Sequence, residues 1–145
     1  MTTRREVLTV AAAAALAAAA TGCGGSGGTG DDGARATVAR YFAALGSAQP
    51  LGVCRQLTPA SQEKLAEFGE ETLKLGSRSC AATMRALFAS PAGPRLRTLR
   101  NAAITRVERD GDRATISVHG VDRPVTLVRT HGHWRIESEP IGERD

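Results

Sequence analysis

The stretch Arg113-Ala114-Thr115-Ile116-Ser117-Val118-His119 decides the fold. Ala114, Ile116 and Val118 fall on one face of an extended chain, and Arg113, Thr115, Ser117 and His119 fall on the other. A period of two is the signature of a strand with one buried side. Working outward, Ala103 to Arg109 precedes it, and Pro124 to Thr130 and His133 to Ser138 follow, each read as a strand. In the last of them Trp134 and Ile136 oppose His133, Arg135 and Glu137. Asp110-Gly111-Asp112 and Thr130-His131-Gly132 are short turn-forming links, which predicts antiparallel neighbours. Ile104 and Val107 lie on opposite faces of the first strand, so a bulge or a two-sided strand is expected there.

Upstream the hydrophobic period becomes helical. From Ala34 to Leu45 the residues Val38, Tyr41, Phe42 and Leu45 recur at helix spacing, with Asp31 and Asp32 near the start and Gly46 at the end. Leu51, Cys54 and Leu57 predict one face of a short second helix. Thr58-Pro59 is a cap and first-turn pair, opening a helix with Leu65, Phe68, Thr72 and Leu75 on one side and Gly76 closing it. Ser79 is placed to cap a fourth helix carrying Cys80, Met84 and Leu87. Pro91, Gly93 and Pro94 are expected to end the helical half. Helices followed by a meander predict an α+β fold, one curved antiparallel sheet packed on helices.

The chain has 145 residues, of which 41% are hydrophobic and 23% charged. That length suits one domain, and the balance excludes a disordered polyelectrolyte, a collagen-like chain and a polytopic membrane protein. The net charge is +4, and Arg supplies all the basic residues but Lys64 and Lys74. With so much Ala beside it, this bias reads as a high-GC coding sequence. The basic residues are spread along the chain without interleaved aromatics, so no nucleic-acid partner is expected.

Residues 1–22 read as an export signal: Arg4 and Arg5 form a positive start, and an apolar run from Val7 to Ala20 follows. A run of that length is short of the ~20 residues a membrane-spanning helix needs and fits a signal-peptide core. Ala20-Thr21-Gly22-Cys23 resembles the lipobox of bacterial lipoproteins, in which the cysteine receives a diacylglyceryl group. Thr3-Arg4-Arg5-Glu6-Val7-Leu8 also resembles a twin-arginine signal, so the general secretory and twin-arginine routes both stay open. Either route places the protein outside the cytoplasm. A diacylated Cys23 holds a protein on the membrane because two acyl chains bind stably where one does not. Residues 23–33 therefore read as the lipidated Cys and a Gly-rich flexible tether, followed by a domain over 34–139 and a tail over 140–145.

With Cys23 given to lipid, Cys54 and Cys80 remain, both on predicted apolar helix faces in a compartment that permits disulfides. Pairing them is the economical reading, and two buried free thiols are the alternative. No Cys-x-x-Cys motif suggests a redox-active pair.

The order of elements, the Cys54-Arg55-Gln56-Leu57-Thr58-Pro59 segment, the strand Gly-Asp-Arg-Ala-Thr-Ile-Ser-Val at 111–118 and the closing Gly-x-Trp-Arg-Ile at 132–136 together resemble the NTF2-like (nuclear transport factor 2-like) superfamily, in particular its small bacterial lipoproteins. The resemblance covers about Gly33 to Ser138. It implies a cone, a strongly bent sheet wrapped round the helices with a pocket at the open end. Family enzymes of the ketosteroid isomerase and SnoaL-like cyclase types carry acid and base groups in that pocket, while many relatives act as binding or assembly modules. Sheet faces in the superfamily often make dimers, so a homodimer is among the partners implied.

The candidate pocket comprises Val38, Tyr41, Ile116, Val118, Leu127 and Trp134. These inward positions hold no Asp, Glu or His, so no catalytic residue is assigned and the protein is expected not to be an enzyme. Tyr41 is the one polar handle, and the alternative of an isomerase or cyclase would rest on it. His131 and His133 straddle a turn without a third ligand nearby, and His119 lies on the outward face, so no metal is expected. No cofactor motif, phosphate loop or nucleophile triad is present. The expected function is that of a lipid-anchored module on the extracytoplasmic face of the cell membrane, binding a small apolar ligand or an envelope protein. A purely structural envelope protein with a filled interior is the further alternative.

Overall fold

Capping and spacing set the helices. The computed structural model describes residues 31–137, so the expected signal peptide, Cys23, the Gly-rich tether and the tail over 140–145 lie outside the described residues. Helix α1 spans Asp31–Gly46 and buries Ala34, Thr37, Val38, Tyr41, Phe42 and Leu45, the stripe expected from the three-to-four-residue spacing. Helix α2 is short, Pro50–Cys54. Thr58 caps α3 (Pro59–Glu71) by accepting the Ser61 N–H, and Ser79 caps α4 (Cys80–Ala89) by accepting the Ala82 N–H.

Three local expectations are corrected. Leu51 does not join Cys54 and Leu57 on a buried face: it is 60% exposed, and Leu57 lies beyond the helix in an isolated bridge to the sheet. Helix α3 ends at Glu71, so Thr72 and Leu75 are not on it. Gly93 and Pro94 do not end the helical half but open a further helix, α5 (Gly93–Thr98), with a 3-10 turn at Leu99–Asn101 behind it. Proline at the first helical turn costs no hydrogen bond, because the N–H groups there have no partner within the helix.

The strands are β1 (Ile104–Asp110), β2 (Arg113–Val118), β3 (Val125–Thr130) and β4 (His133–Ile136), paired antiparallel in the order β1-β2-β3-β4. The bulge expected in the first strand falls between Ile104 and Arg106, and it returns both Ile104 and Val107 to the inner face, opposite Val118 and Ile116. Both expected turns are two residues long. Gly111 takes positive φ in the first, and His131 and Gly132 both do in the second, as a type I′ hairpin requires. The helices cover one face of this open sheet, and a single apolar cluster fills the space between: Val38, Tyr41, Phe42, Leu45, Val53, Leu57, Met84, Ile116, Leu127, Trp134 and Ile136 lie at its heart. The fold is α+β, with helices on a four-stranded antiparallel sheet. Among the described residues no helix is long and apolar enough to cross a membrane.

Candidate functional site

The six candidate pocket residues come from three directions and meet in the core. Val38 and Tyr41 project from α1, Ile116 and Val118 from β2, Leu127 from β3 and Trp134 from β4. Val38, Tyr41, Ile116 and Leu127 are 0% exposed, Trp134 3% and Val118 4%. All six belong to one buried apolar cluster, packed on one another and on their neighbours. The Tyr41 ring meets Phe42 edge to face, with centroids 5.3 Å apart.

Two features of this core carry chemistry. The first is the nature of its polar groups. The buried polar residues are Thr37, Thr58, Ser61 and Thr83, all neutral hydroxyls. Thr37 Oγ1 donates to the Gly33 carbonyl at 3.0 Å, and Thr83 Oγ1 donates to the Ser79 carbonyl at 2.9 Å. Thr58 donates to Ser61, which donates in turn to the Glu137 carbonyl at 2.5 Å. Their hydrogen bonds close within the protein. The second is Trp134. Its indole Nε1–H is the one buried side-chain polar atom among the described residues that lacks a hydrogen-bond partner. The Arg129 guanidinium lies over the ring, 5.6 Å from its centroid, and is itself held by Asp112 at 2.7 Å. An orphaned donor of this kind costs about 1–3 kcal/mol.

Cys54 and Cys80 form a disulfide, which joins the end of α2 to the start of α4. Sequence spacing alone had left free thiols open. Cys23, the expected lipidation site, lies outside the described residues. His119, His131 and His133 are exposed, and among the described residues no three His, Cys, Asp or Glu side chains gather where a metal could sit. The charged residues form exposed pairs instead: Arg113 with Glu137 at 2.6 Å, Arg109 with Asp31 at 3.4 Å, and Arg78 with Glu67 and Glu63. Sequence reading missed the Thr58–Ser61–Glu137 relay. The signal that could have found it is a Thr-Pro-x-Ser run, in which the capping threonine and the serine three residues on share one helix turn.

Compared with protein-family models, with curated proteins and with solved structures, the chain matches none of them significantly.

Proposed function

We propose that this protein is a non-catalytic binding module of NTF2-like architecture, held by a diacylglyceryl group on Cys23 at the extracytoplasmic face of the cell membrane, where it engages an envelope protein through its surface. The observation that carries the reading is the closed interior. The six candidate pocket residues belong to one buried apolar cluster, and the buried Thr and Ser hydroxyls have internal partners. Recognition then falls to the outside of the domain. The Cys54–Cys80 bond supports the location, because disulfides persist in oxidising compartments. The Ala-Thr-Gly-Cys run at 20–23 and the Gly-rich stretch after it support the anchor.

Trp134 favours a second reading. Its unpaired N–H would be satisfied by a small apolar molecule carrying one acceptor, admitted between α1 and the sheet once the core parts. A native mass spectrum of the protein extracted gently from its own membranes tests both. A lipidated species retaining a second polypeptide supports the surface reading, and one retaining an added small-molecule mass moves the assignment to Trp134. An unlipidated species overturns the anchor. Should activity on a ketone or cyclisable substrate appear, Tyr41→Phe separates an isomerase or cyclase, which loses turnover, from a packing residue, which loses only stability.

A further inference from the structure

Among the described residues the sheet has one unpaired edge, β1. Across the turn Asp110 pairs with Arg113, Glu108 with Thr115 and Arg106 with Ser117. In an antiparallel ladder closed by a two-residue turn, these alternate residues spend their N–H and C=O groups on β2. The N–H and C=O groups of Val107 and Arg109 therefore point away from the sheet. No described backbone group outside the sheet bonds to them. The side chains along this edge are exposed apart from Ile104 and Val107, which are half-buried against the core.

We propose that this edge pairs with the same edge of a second copy, antiparallel about a two-fold axis at Val107, joining two four-stranded sheets into one of eight strands. Symmetry and charge select that register. In a two-fold antiparallel pair one residue faces its own counterpart, and the residues on either side of it face each other. An axis at Arg106 or Arg109 opposes Arg to Arg; one at Glu108 or Asp110 opposes acid to acid; Thr105 sits in the bulge, off the ladder. Two uncharged residues remain on the ladder, Ile104 and Val107: an axis at Ile104, beyond the bulge, sets Arg106 towards Ala102, whereas an axis at Val107 sets Arg106 against Glu108 of the second copy, once on each side. The backbone of Val107 points away from β2, so the axis falls on a reciprocal pair of N–H···O=C bonds. Within one chain Arg106 already ion-pairs with Glu108 on the outer face. Pairing two copies arranges these charges as an alternating square, while Val107 meets its counterpart below it and extends the apolar layer. This interface is the edge of the sheet and stands independently of the ligand or envelope partner proposed above.

The test is the oligomeric state of the full chain by sedimentation and native mass spectrometry, with three single variants and one double. Arg106→Glu and Glu108→Arg, taken singly, each set like charges opposite one another twice and are expected to weaken the dimer about tenfold or more. Combined, they restore opposite charges in the same register and are expected to recover wild-type association. Val107→Pro removes an N–H that β2 does not use, so the folded monomer tolerates it, and the dimer loses its central bonds. A wild-type chain that stays monomeric to ~1 mM overturns the proposal. So does a dimer indifferent to all three single variants, or one that the double charge exchange fails to rescue while circular dichroism shows every variant folded.

Discussion

The two edges of the sheet are finished in different ways. At β4 the chain seals itself. The segment from Gln56 to Thr58 runs alongside, with the Ile136 N–H donating to the Gln56 carbonyl at 2.7 Å and the Thr58 N–H donating to the Ile136 carbonyl at 2.9 Å. Ser61 adds a third bond to the Glu137 carbonyl, and the disulfide at Cys54, two residues before Gln56, ties that segment to α4. At β1 nothing described lies alongside, and the sequence Thr-Arg-Val-Glu-Arg-Asp at 105–110 answers with charge. An unpaired edge is a template for indiscriminate pairing, and charged side chains along it restrict the partners it accepts. One edge is thus closed by covalent and backbone bonds, and the other is left selectively open.

The comparison is broken most severely by removing the disulfide. Cys54→Ala with Cys80→Ala opens a loop of sequence separation 26, and the chain-entropy model puts the loss at about 3.5 kcal/mol. Guanidinium unfolding with and without reductant measures it, and a reduced protein as stable as the oxidised one would show that the sealed edge does not depend on the staple. Next comes Ile136→Ala. This residue is fully buried on β4, and the cavity costs about 3 kcal/mol. Hydrogen exchange should then show the β4 and Thr58 amides opening before those of β2. Ser61→Ala leaves the Glu137 carbonyl and the Thr58 hydroxyl short of a partner, for about 1–2 kcal/mol by thermal melting. At the open edge, Arg106→Ala removes a side chain 72% exposed and should change monomer stability by less than about 0.5 kcal/mol. A larger loss there would mean that β1 is supported by contacts of its own and is not a free edge.

Much of this architecture was legible one residue at a time. The alternation around Ile116, the stripe on α1 and the caps Thr58 and Ser79 are local patterns, and local steric and hydrogen-bonding rules act on them directly. Even the bulge at Ile104 to Arg106 could be read, because two apolar residues three apart cannot share one face of a regular strand. Where local reading failed, a nonlocal contact or a double-edged residue was the cause. Leu57 stands at helical spacing from Cys54, yet its place is set by Ile136, distant in sequence. Pro94 reads as a terminator and serves as a first-turn residue. Leu51 fits the stripe but lies exposed at the surface.

By itself the sequence determined the first four helices and the four strands in order, the two hairpins, and which face of β2 and of β4 turns inward. These follow from backbone geometry and from the separation of apolar from polar residues along short segments. Tertiary structure alone decided that the candidate pocket residues meet in one buried cluster, that Trp134 is left with an unspent N–H, and that, among the described residues, β4 is sealed while β1 is open. Those outcomes depend on how surfaces far apart in the chain meet. Packing density and hydrogen-bond satisfaction belong to the assembled layers, and no single segment carries them.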